Sequence, residues 1–343
     1  MKILSISIIS FLVSFLFLGC GTSIKLSQYQ PALLKKSKFI PSKNRLLSNE
    51  LPKVIIIDID NNNIKLAKKS NLGSSIATKI NSLLSSIKSV NILKRVKKLS
   101  NDKILLEEVK ASQLSKQLGT NVGQADYIIT GKLSNANYDY KFSEGYYTTY
   151  NTKNGPKQEY TPPSIKYSSC VTGNIKIFEL PILKEIKSYE FNDCIQSHTD
   201  VRSPRDARKK DYALVRQAGN LGADTISYEL KNFFSKKGYI YEMRQKDDDI
   251  IIKTTLGLDD NIKENQEVEI YTIEEVENIL TKTKSKDIIK IGKGKVSNQI
   301  TQKNSWIIVD ELYNNKDIKA GDFIKIEYKE GFFSKATKSL MKL

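Results

Sequence analysis

Three cysteines and a single histidine are the residues of this chain whose side chains most often do chemistry. His198 lies in a charged segment, and one histidine builds neither a histidine-based triad nor a histidine-rich metal site. The sequence contains no glycine-rich phosphate loop and no metalloprotease helix. A carboxylate-only enzyme stays open, because two acids suffice for glycoside hydrolysis, but no acid pair stands in a supporting context. We therefore predict a non-enzymatic protein with no cofactor and no bound metal.

Two acidic clusters are candidates for cation binding. Asp58, Asp60 and Asn62 occupy the first three odd positions of a calcium-binding loop, but asparagine and lysine replace the turn glycine and the bidentate glutamate of that motif. We interpret this stretch as a strand-to-helix connection. The acidic triplet at residues 247–249 is interpreted as a solvated turn.

Two of the cysteines fall on facing strands of a predicted hairpin. Residues 165–178 and 185–191 alternate as two strands around a tight turn centred near Ile182, which places Cys170 opposite Cys194. In an exported protein this position predicts a disulfide, which would contribute about 3 to 3.5 kcal/mol in the chain-entropy model. A register shift of one residue would put the two thiols on opposite faces and leave them unpaired.

The amino terminus predicts export from the cytoplasm. Residues 3–18 carry no charge, follow Lys2 and precede a glycine and Cys20. An apolar run of this length fits a secretory signal and is too short to span a bilayer comfortably. We predict that residues 1–19 are a signal peptide that is removed.

The tetrapeptide Phe17-Leu18-Gly19-Cys20 resembles the lipobox of bacterial lipoproteins. This resemblance implies that the Cys20 thiol is diacylated and becomes the new amino terminus, with an ordinary cleavage site as the alternative. In a Gram-negative cell, Gly21 implies sorting to the outer membrane, so the chain would be lipid-anchored there and face the periplasm. Residues 20–51 are predicted to be the lipidated cysteine and a flexible tether.

The formal net charge of +17 comes mostly from lysines that are spread along the chain. Such a surface attracts polyanions weakly, including anionic lipid headgroups, but it is more typical of a solvated lysine-rich exterior. Because the chain is predicted to be exported, we do not expect nucleic acid as a partner.

Strands and helices alternate between residues 52 and 237. The central stretch, residues 125–140, begins with a short apolar run rich in Ile and Tyr and predicts a strand. The other predicted segments are a strand at 54–59, a helix at 71–87, a strand at 90–96, a helix that begins at Asn101, and a helix at 212–235. This alternation predicts an α/β (α+β) fold, a three-layer-like mixed-sheet domain.

Short alternating runs dominate residues 238–330 and predict a small all-β, barrel-like domain. The six predicted strands are residues 239–243, 249–253, 267–271, 288–296, 305–309 and 323–328. Residues 272–281 are interpreted as a short amphipathic helix. Residues 331–343 are interpreted as a basic amphipathic tail that either touches a membrane surface or packs on the barrel.

The order of these elements and several local strings resemble the curli-secretion lipoprotein family, the CsgG-like proteins. The strings are the lipobox cysteine, VIIIDIDNN for the first strand and its turn, ILKRVKKL for the second strand, LLEE before the face of the second helix, and ADYIITGKL for the central strand. The resemblance covers residues 52–237. It implies a periplasmic α/β domain anchored to the outer membrane that assembles into rings, and in the curli member a pore built from hairpins of every subunit.

The chain departs from that family where the pore hairpins would be. Membrane hairpins need apolar outward faces of about 9 to 11 residues per strand. Residues 141–163 and 193–211 instead carry many charged and amide side chains, so we expect no transmembrane hairpins.

Together these features predict a non-enzymatic outer-membrane lipoprotein of the CsgG-like family. Its role would be that of a periplasmic ring or scaffold subunit in secretion or in assembly of a surface fibre. The alternatives are a flagellar-motor ring component and a lipoprotein activator of a penicillin-binding cell-wall synthase. The expected partners are the outer membrane through the lipid, further copies of the chain in a ring, and other envelope or secretion proteins.

Overall fold

The computed structural model describes residues 23–41, 51–61, 63–94, 101–118, 125–313 and 316–329. Its helices are α1 (Lys65–Lys69), α2 (Leu72–Ser85), α3 (Asn101–Leu118), α4 (Tyr212–Thr225) and α5 (Ser227–Phe233). Its strands are β1 (Gln30–Pro31), β2 (Lys53–Ile56), β3 (Asn91–Ile92), β4 (Tyr127–Ala136), β5 (Asp139–Ser143), β6 (Tyr146–Thr152), β7 (Gly155–Thr161), β8 (Ser164–Glu179), β9 (Lys184–Asp200), β10 (Lys237–Lys246), β11 (Asp249–Thr254), β12 (Glu267–Glu277), β13 (Lys284–Ile300), β14 (Ser305–Leu312) and β15 (Phe323–Ile326).

The chain divides into two compact units. The first, the barrel unit, contains the described residues of 1–50 together with residues 235–328. The second, the curled-sheet unit, contains the described residues of 51–234 together with Lys329. Each has its own hydrophobic core.

Six strands of the barrel unit close into a barrel. The strands follow the order β10-β11-β14-β13-β12-β15, and β15 pairs back with the start of β10. Successive side chains of a strand point to opposite faces, so Ile324 and Ile326 of β15 both point into the barrel core. All six segments predicted as strands are strands. The helix predicted at 272–281 is wrong, because β12 continues to Glu277 and pairs with β13 along this whole length.

The segment from Ser23 to Pro41 packs on this barrel instead of forming the expected flexible tether. Gln30 and Pro31 pair with the end of β10, and Lys36 forms a parallel bridge with Ala320. Tyr29 is buried in a cluster on the barrel, whose other members are Ile24, Ile251 and Trp306. Burial of these apolar side chains holds the segment in place.

The curled-sheet unit has a six-stranded sheet with β8 at its centre. The order is β3-β2-β4-β8-β5, and β9 pairs with the other edge of β8. The pairings β2–β3 and β2–β4 are parallel, and all the others are antiparallel. One edge of β8 is shared by β4 and β5, so the sheet turns as it passes from one to the other.

Helices α2 and α4 pack against each other and on this sheet, with α2 over the parallel strands β2 and β3 and α4 over the antiparallel strands β8 and β9. The α2 residues at spacings of four are fully buried, namely Leu72, Ile76, Ile80 and Leu84. Gly219 of α4 lies against this stripe, and a Cβ there would come within 2.5 Å of the Leu72 side chain. Ile104 of α3 packs in a separate cluster with Ile55 and Ile128.

The predicted fold class, an α/β three-layer-like mixed sheet, is wrong. Strands account for 46% of the chain and helices for 23%, and the two sheets form a closed six-stranded barrel and a curled half-barrel. Of the strand predicted at 90–96, residues 95 and 96 lie outside the described residues, and among residues 90–94 only Asn91–Ile92 is a strand. The described parallel pairings are therefore short for a layered α/β sheet. The long β8 and β9, of 16 and 17 residues, dominate instead, and antiparallel strands of that length twist and curl.

Candidate functional site

The connection between β5 and β8 forms an exposed two-stranded hairpin, which we name the tyrosine ribbon (Tyr146–Thr152 and Gly155–Thr161). Within the described part of the chain its strands pair only with each other. Every residue of β6 is exposed, and in β7 only Thr161 is partly covered. The ribbon therefore adds nothing to the hydrophobic core.

Four tyrosines lie on the two faces of the ribbon. Tyr147 and Tyr160 are directly opposite each other, with ring centroids 4.9 Å apart. Tyr146 and Tyr150 lie on the other face, because side chains alternate along β6. Tyr147 is 67% exposed and Tyr146 is 58% exposed. Tyrosine offers a large amphipathic contact area at a low entropic cost, which is why it is enriched at protein interfaces.

Local interactions explain why this polar segment forms a hairpin. At the tip, the Thr152 hydroxyl donates to the Gly155 carbonyl at 2.8 Å and accepts from the Asn154 amide at 3.2 Å. Gly155 adopts a φ of 105°, which glycine reaches without strain. At the base, a Cβ on Gly145 would lie 2.7 Å from the Tyr160 hydroxyl. Glycine at position 145 therefore lets the backbone pass close to the Tyr160 side chain.

The ribbon leads into β8, and β8 forms with β9 a hairpin that carries the Cys170–Cys194 disulfide. The predicted register is confirmed, since Cys170 and Cys194 are Cα partners in the antiparallel ladder. The Cys170 amide also donates to Asn137 Oδ1 at 2.8 Å. The β8–β9 ladder that follows the ribbon is thus held covalently by the disulfide and by hydrogen bonds to the β4–β5 connection.

A tyrosine–arginine cluster joins the same region to the start of α4. The Arg208 guanidinium lies 4.2 Å from the ring centroid of Tyr167 and pairs with Asp211 at 2.6 Å. The Tyr138 hydroxyl donates to the Arg208 carbonyl at 2.6 Å, and burial raises the pKa of Tyr138 to about 12. Tyr138 therefore stays a neutral donor at physiological pH. Asp211 also caps α4 by accepting from the Leu214 amide at 3.0 Å.

The outer side of the barrel holds a charged cluster that sequence reasoning missed. Lys325 of β15 has Lys237 as its Cα partner on one side and Glu269 on the other. Burial, and then repulsion by Lys237, lowers the pKa of Lys325 to about 8. Glu269 accepts hydrogen bonds from Tyr271 and Lys290, both at 2.5 Å. The two lysines are far apart in sequence, so only the closure of the barrel brings them together.

The remaining predicted sites are not assembled into a catalytic or metal centre in the described residues. Cys20 lies outside them, as do the signal peptide, residues 331–343 and Asn62. The backbone of Asp60 forms a parallel bridge with Lys132, which extends the sheet. His198 is exposed on β9, with Nε2 3.9 Å from Asp200. No group of three metal-ligating side chains is found in the described ranges.

A polar cavity of about 430 Å³ opens between α2 and α4. Serine, threonine and asparagine side chains line it beside Lys79 and Arg216. Lys79 pairs with Asp224 at 3.0 Å, and Arg216 donates to the Ser70 carbonyl at 3.3 Å. Its cations are thus already engaged by the protein. Separately, none of the described helices is both long and apolar enough to cross a membrane.

Comparisons with solved structures return matches at low sequence identity and low TM-score. No family model and no curated protein matches the chain. A hypothetical protein from Chlamydia trachomatis is 12% identical, covers 54% of this chain and 98% of its own, and has a TM-score of 0.28. A dodecamer of a PelC variant from Paraburkholderia phytofirmans is 14% identical over 58% and 92% of the two chains, with a TM-score of 0.24. A homolog of a putative neuraminyllactose-binding hemagglutinin from Helicobacter pylori is 12% identical over 60% and 94%, with a TM-score of 0.28.

Proposed function

We propose that this chain is a non-enzymatic, lipid-anchored envelope protein that acts as a ring or scaffold subunit in secretion or surface-fibre assembly. It docks with further copies of itself through the tyrosine ribbon. The ribbon is polar on both faces, so the docking takes place in water and not in a lipid bilayer.

The observation that carries the proposal is the exposure of the ribbon. An isolated two-stranded hairpin is only marginally stable in water, and its outer edges offer unpaired backbone groups that can add a strand. Each copy carries two such edges, one on β6 and one on β7. Pairing of the β6 edge with the β7 edge of the next copy is head-to-tail, and such contacts close into rings when the rotation allows.

Two further features support export and anchoring. The uncharged stretch before Cys20 fits a secretory signal, and the lipobox-like tetrapeptide fits lipidation of Cys20. The Cys170–Cys194 disulfide agrees with an oxidising compartment such as the periplasm, because such bonds are rare in the cytosol.

The proposal is tested by shortening the ribbon in the lipidated protein. Residues 146–161 are replaced with a short Gly-Ser turn, and the mass of the detergent-extracted particles is compared with that of the unmodified chain by mass photometry and negative-stain microscopy. The unmodified chain is expected to form rings, and the shortened chain is expected to be monomeric.

A matched control shortens the other long exposed hairpin, between β12 and β13, by replacing residues 276–285 with a two-residue turn. This control is expected to keep the rings. The proposal is contradicted if the unmodified chain is monomeric at every concentration tested, or if the ribbon-shortened chain forms the same rings. A monomer that stimulates a cell-wall synthase would favour the activator alternative.

A further inference from the structure

Very little chain separates Cys20 from the barrel. The Ile24 amide donates to Asn298 Oδ1 at 2.9 Å, and Gln299 Nε2 donates to the Ile24 carbonyl at 3.3 Å. The Ile24 side chain is buried against the barrel in the cluster that contains Trp306. The chain from Cys20 to Ile24, even when fully extended, spans at most about 14 Å. Anything attached to Cys20 is therefore held next to this end of β13.

The surface at this end of the barrel consists of two turns that are hydrogen-bonded to each other. The Leu258 amide donates to the Thr301 carbonyl at 3.0 Å, and the Asp259 amide donates to the Gln302 carbonyl at 3.0 Å. Leu258 is 49% exposed. We name the surface formed by Lys25, Leu258, Asp259, Gln302 and Lys303 the anchor face, and all five residues are exposed.

We infer that the anchor face lies against the phospholipid headgroups of the membrane that holds the acylated Cys20. This inference rests on the lipid anchor of the proposed function. Two lysines and one aspartate give the anchor face a net positive charge, which complements anionic headgroups. Leu258 is a single exposed apolar side chain that can enter the interface, where burial of apolar surface is favourable.

With the anchor face on the membrane, the far end of β13 is expected to lie away from it. This strand runs from Lys284 to Ile300, and extended chain between Lys284 and Asn298 covers up to about 45 Å. The turn before Lys284 exposes Ile279 and Leu280, which are 82% and 92% accessible. The two ends of one hairpin therefore face different surroundings, the membrane at one end and the aqueous compartment at the other.

The single tryptophan of the chain reports on this arrangement, because Trp306 lies just after the turn at 301–304 and contacts the Ile24 cluster. The acylated protein is reconstituted in vesicles of phosphatidylethanolamine and phosphatidylglycerol that contain a dansyl-headgroup lipid. Energy transfer from Trp306 is expected to be strong. In a Trp306→Phe, Leu280→Trp chain it is expected to be several-fold weaker, and equal transfer from the two positions overturns the inference.

A second pair of variants keeps Trp306 in place and leaves the barrel core untouched. Leu258→Ser with Lys303→Glu on the anchor face is expected to lower the energy transfer and make it insensitive to salt. The matched control, Leu280→Ser with Lys282→Glu on the distant turn, is expected to leave it unchanged. Equal effects of the two pairs would contradict the inference.

The acyl groups are measured by mass spectrometry on the same sample, which separates this inference from the proposed function. An unacylated Cys20 removes the lipid anchor from the proposed function. The inference is then tested with the Cys20 thiol coupled to a maleimide-headgroup lipid, since the distance from Cys20 to the barrel is the same. Equal energy transfer from positions 306 and 280 in that sample overturns the inference by itself.

Discussion

The barrel pairs the edges of its strands with one another, whereas the curled-sheet unit leaves some strand edges unpaired among the described residues. In the barrel, β10 pairs with β11 along one edge and with β15 and β1 along the other, so the ring of strands is closed. Among the described strands of the curled-sheet unit, β9 pairs only with β8, and the two strands of the tyrosine ribbon pair only with each other. Closure removes the unpaired backbone groups that recruit other strands, whereas open edges keep them available.

The two units also differ in how far their side chains are buried. The barrel is stabilised by a continuous apolar core in which most of its members are completely buried. The curled-sheet unit contains the disulfide, the helix contacts and the exposed tyrosines, and some of its strand edges are unpaired among the described residues. The comparison predicts that substitutions in the two units have different effects on stability and on assembly.

The largest expected effect is that of removing the disulfide. Replacement of Cys170 and Cys194 with alanine releases a loop with a sequence separation of 24 residues. The chain-entropy model then predicts a loss of about 3.5 kcal/mol in the free energy of unfolding of the curled sheet. Urea unfolding monitored separately for each unit, with Trp306 as the barrel reporter, measures this loss.

The barrel provides the control for that experiment, because it contains neither Cys170 nor Cys194. Its unfolding midpoint, followed through Trp306, is expected to be unchanged by the double substitution and by a reducing agent. If the unfolding midpoints of both units shift equally, their stabilities are linked, which would contradict the difference between the two units.

The next largest effect is expected in the barrel core. Ile270 of β12 is completely buried within that core, and Ile270→Ala leaves a cavity that costs about 3 kcal/mol. Ile279→Ala, at a side chain that is 82% exposed, is the matched control and is expected to change stability by less than about 0.5 kcal/mol. Equal losses for the two variants in urea titrations would contradict the assigned core.

The strands of the barrel and the β8–β9 hairpin could be predicted from the sequence because their signals are local. Alternation of apolar and polar residues marks each barrel strand, and the tight turn near Ile182 sets the register that places Cys170 opposite Cys194. The fold class could not be predicted in this way. Whether β15 pairs with β10, and how far the parallel strands extend, depends on contacts between residues that are distant in sequence.

The candidate surfaces were harder to predict for the same reason. The sequence contains four tyrosines between residues 146 and 160, but their exposure on both faces depends on the absence of any covering element in the described structure. The apolar side chains of residues 23–41 are irregularly spaced, so no helix or strand period indicates that Ile24 and Tyr29 are buried. Only their contacts with the barrel show that the expected tether is bound to it.

The charged cluster on the barrel gives a smaller effect that depends on pH. Since the pKa of Lys325 is lowered to about 8 in the folded state, the unfolded chain binds more protons between about pH 8 and pH 10.5. Below this window Lys325 is protonated in both the folded and the unfolded state, and the buried charge of Lys325 destabilises the folded state. Lys325→Met is therefore expected to raise the free energy of unfolding by about 1 to 2 kcal/mol at pH 7, allowing for partial exposure. This gain is lost as the pH rises through the window.

Lys290→Met is the control at the neighbouring position of the same cluster. Lys290 donates to Glu269 at 2.5 Å, and the pKa of Lys290 is raised: the hydrogen bond and the charge of Glu269 outweigh the opposing effect of burial. This variant is expected to lower stability slightly at pH 7. Urea titrations between pH 6 and pH 11 give both curves, and a Lys325→Met gain that does not change with pH would contradict the assigned charge cost.

The smallest expected effect is on the free energy of local opening of the tyrosine ribbon. Tyr147 and Tyr160 are cross-strand partners, and such aromatic pairs contribute about 0.5 kcal/mol beyond the two separate side chains. A double-mutant cycle with Tyr147→Ala and Tyr160→Ala is expected to show this coupling in amide hydrogen exchange of the ribbon, with no change in global unfolding. Tyr146 lies on the opposite face, so the Tyr146→Ala, Tyr160→Ala cycle is expected to show none. If both cycles couple equally, the ribbon does not keep its two-faced register in solution, and its edges are then too irregular to pair with the next copy.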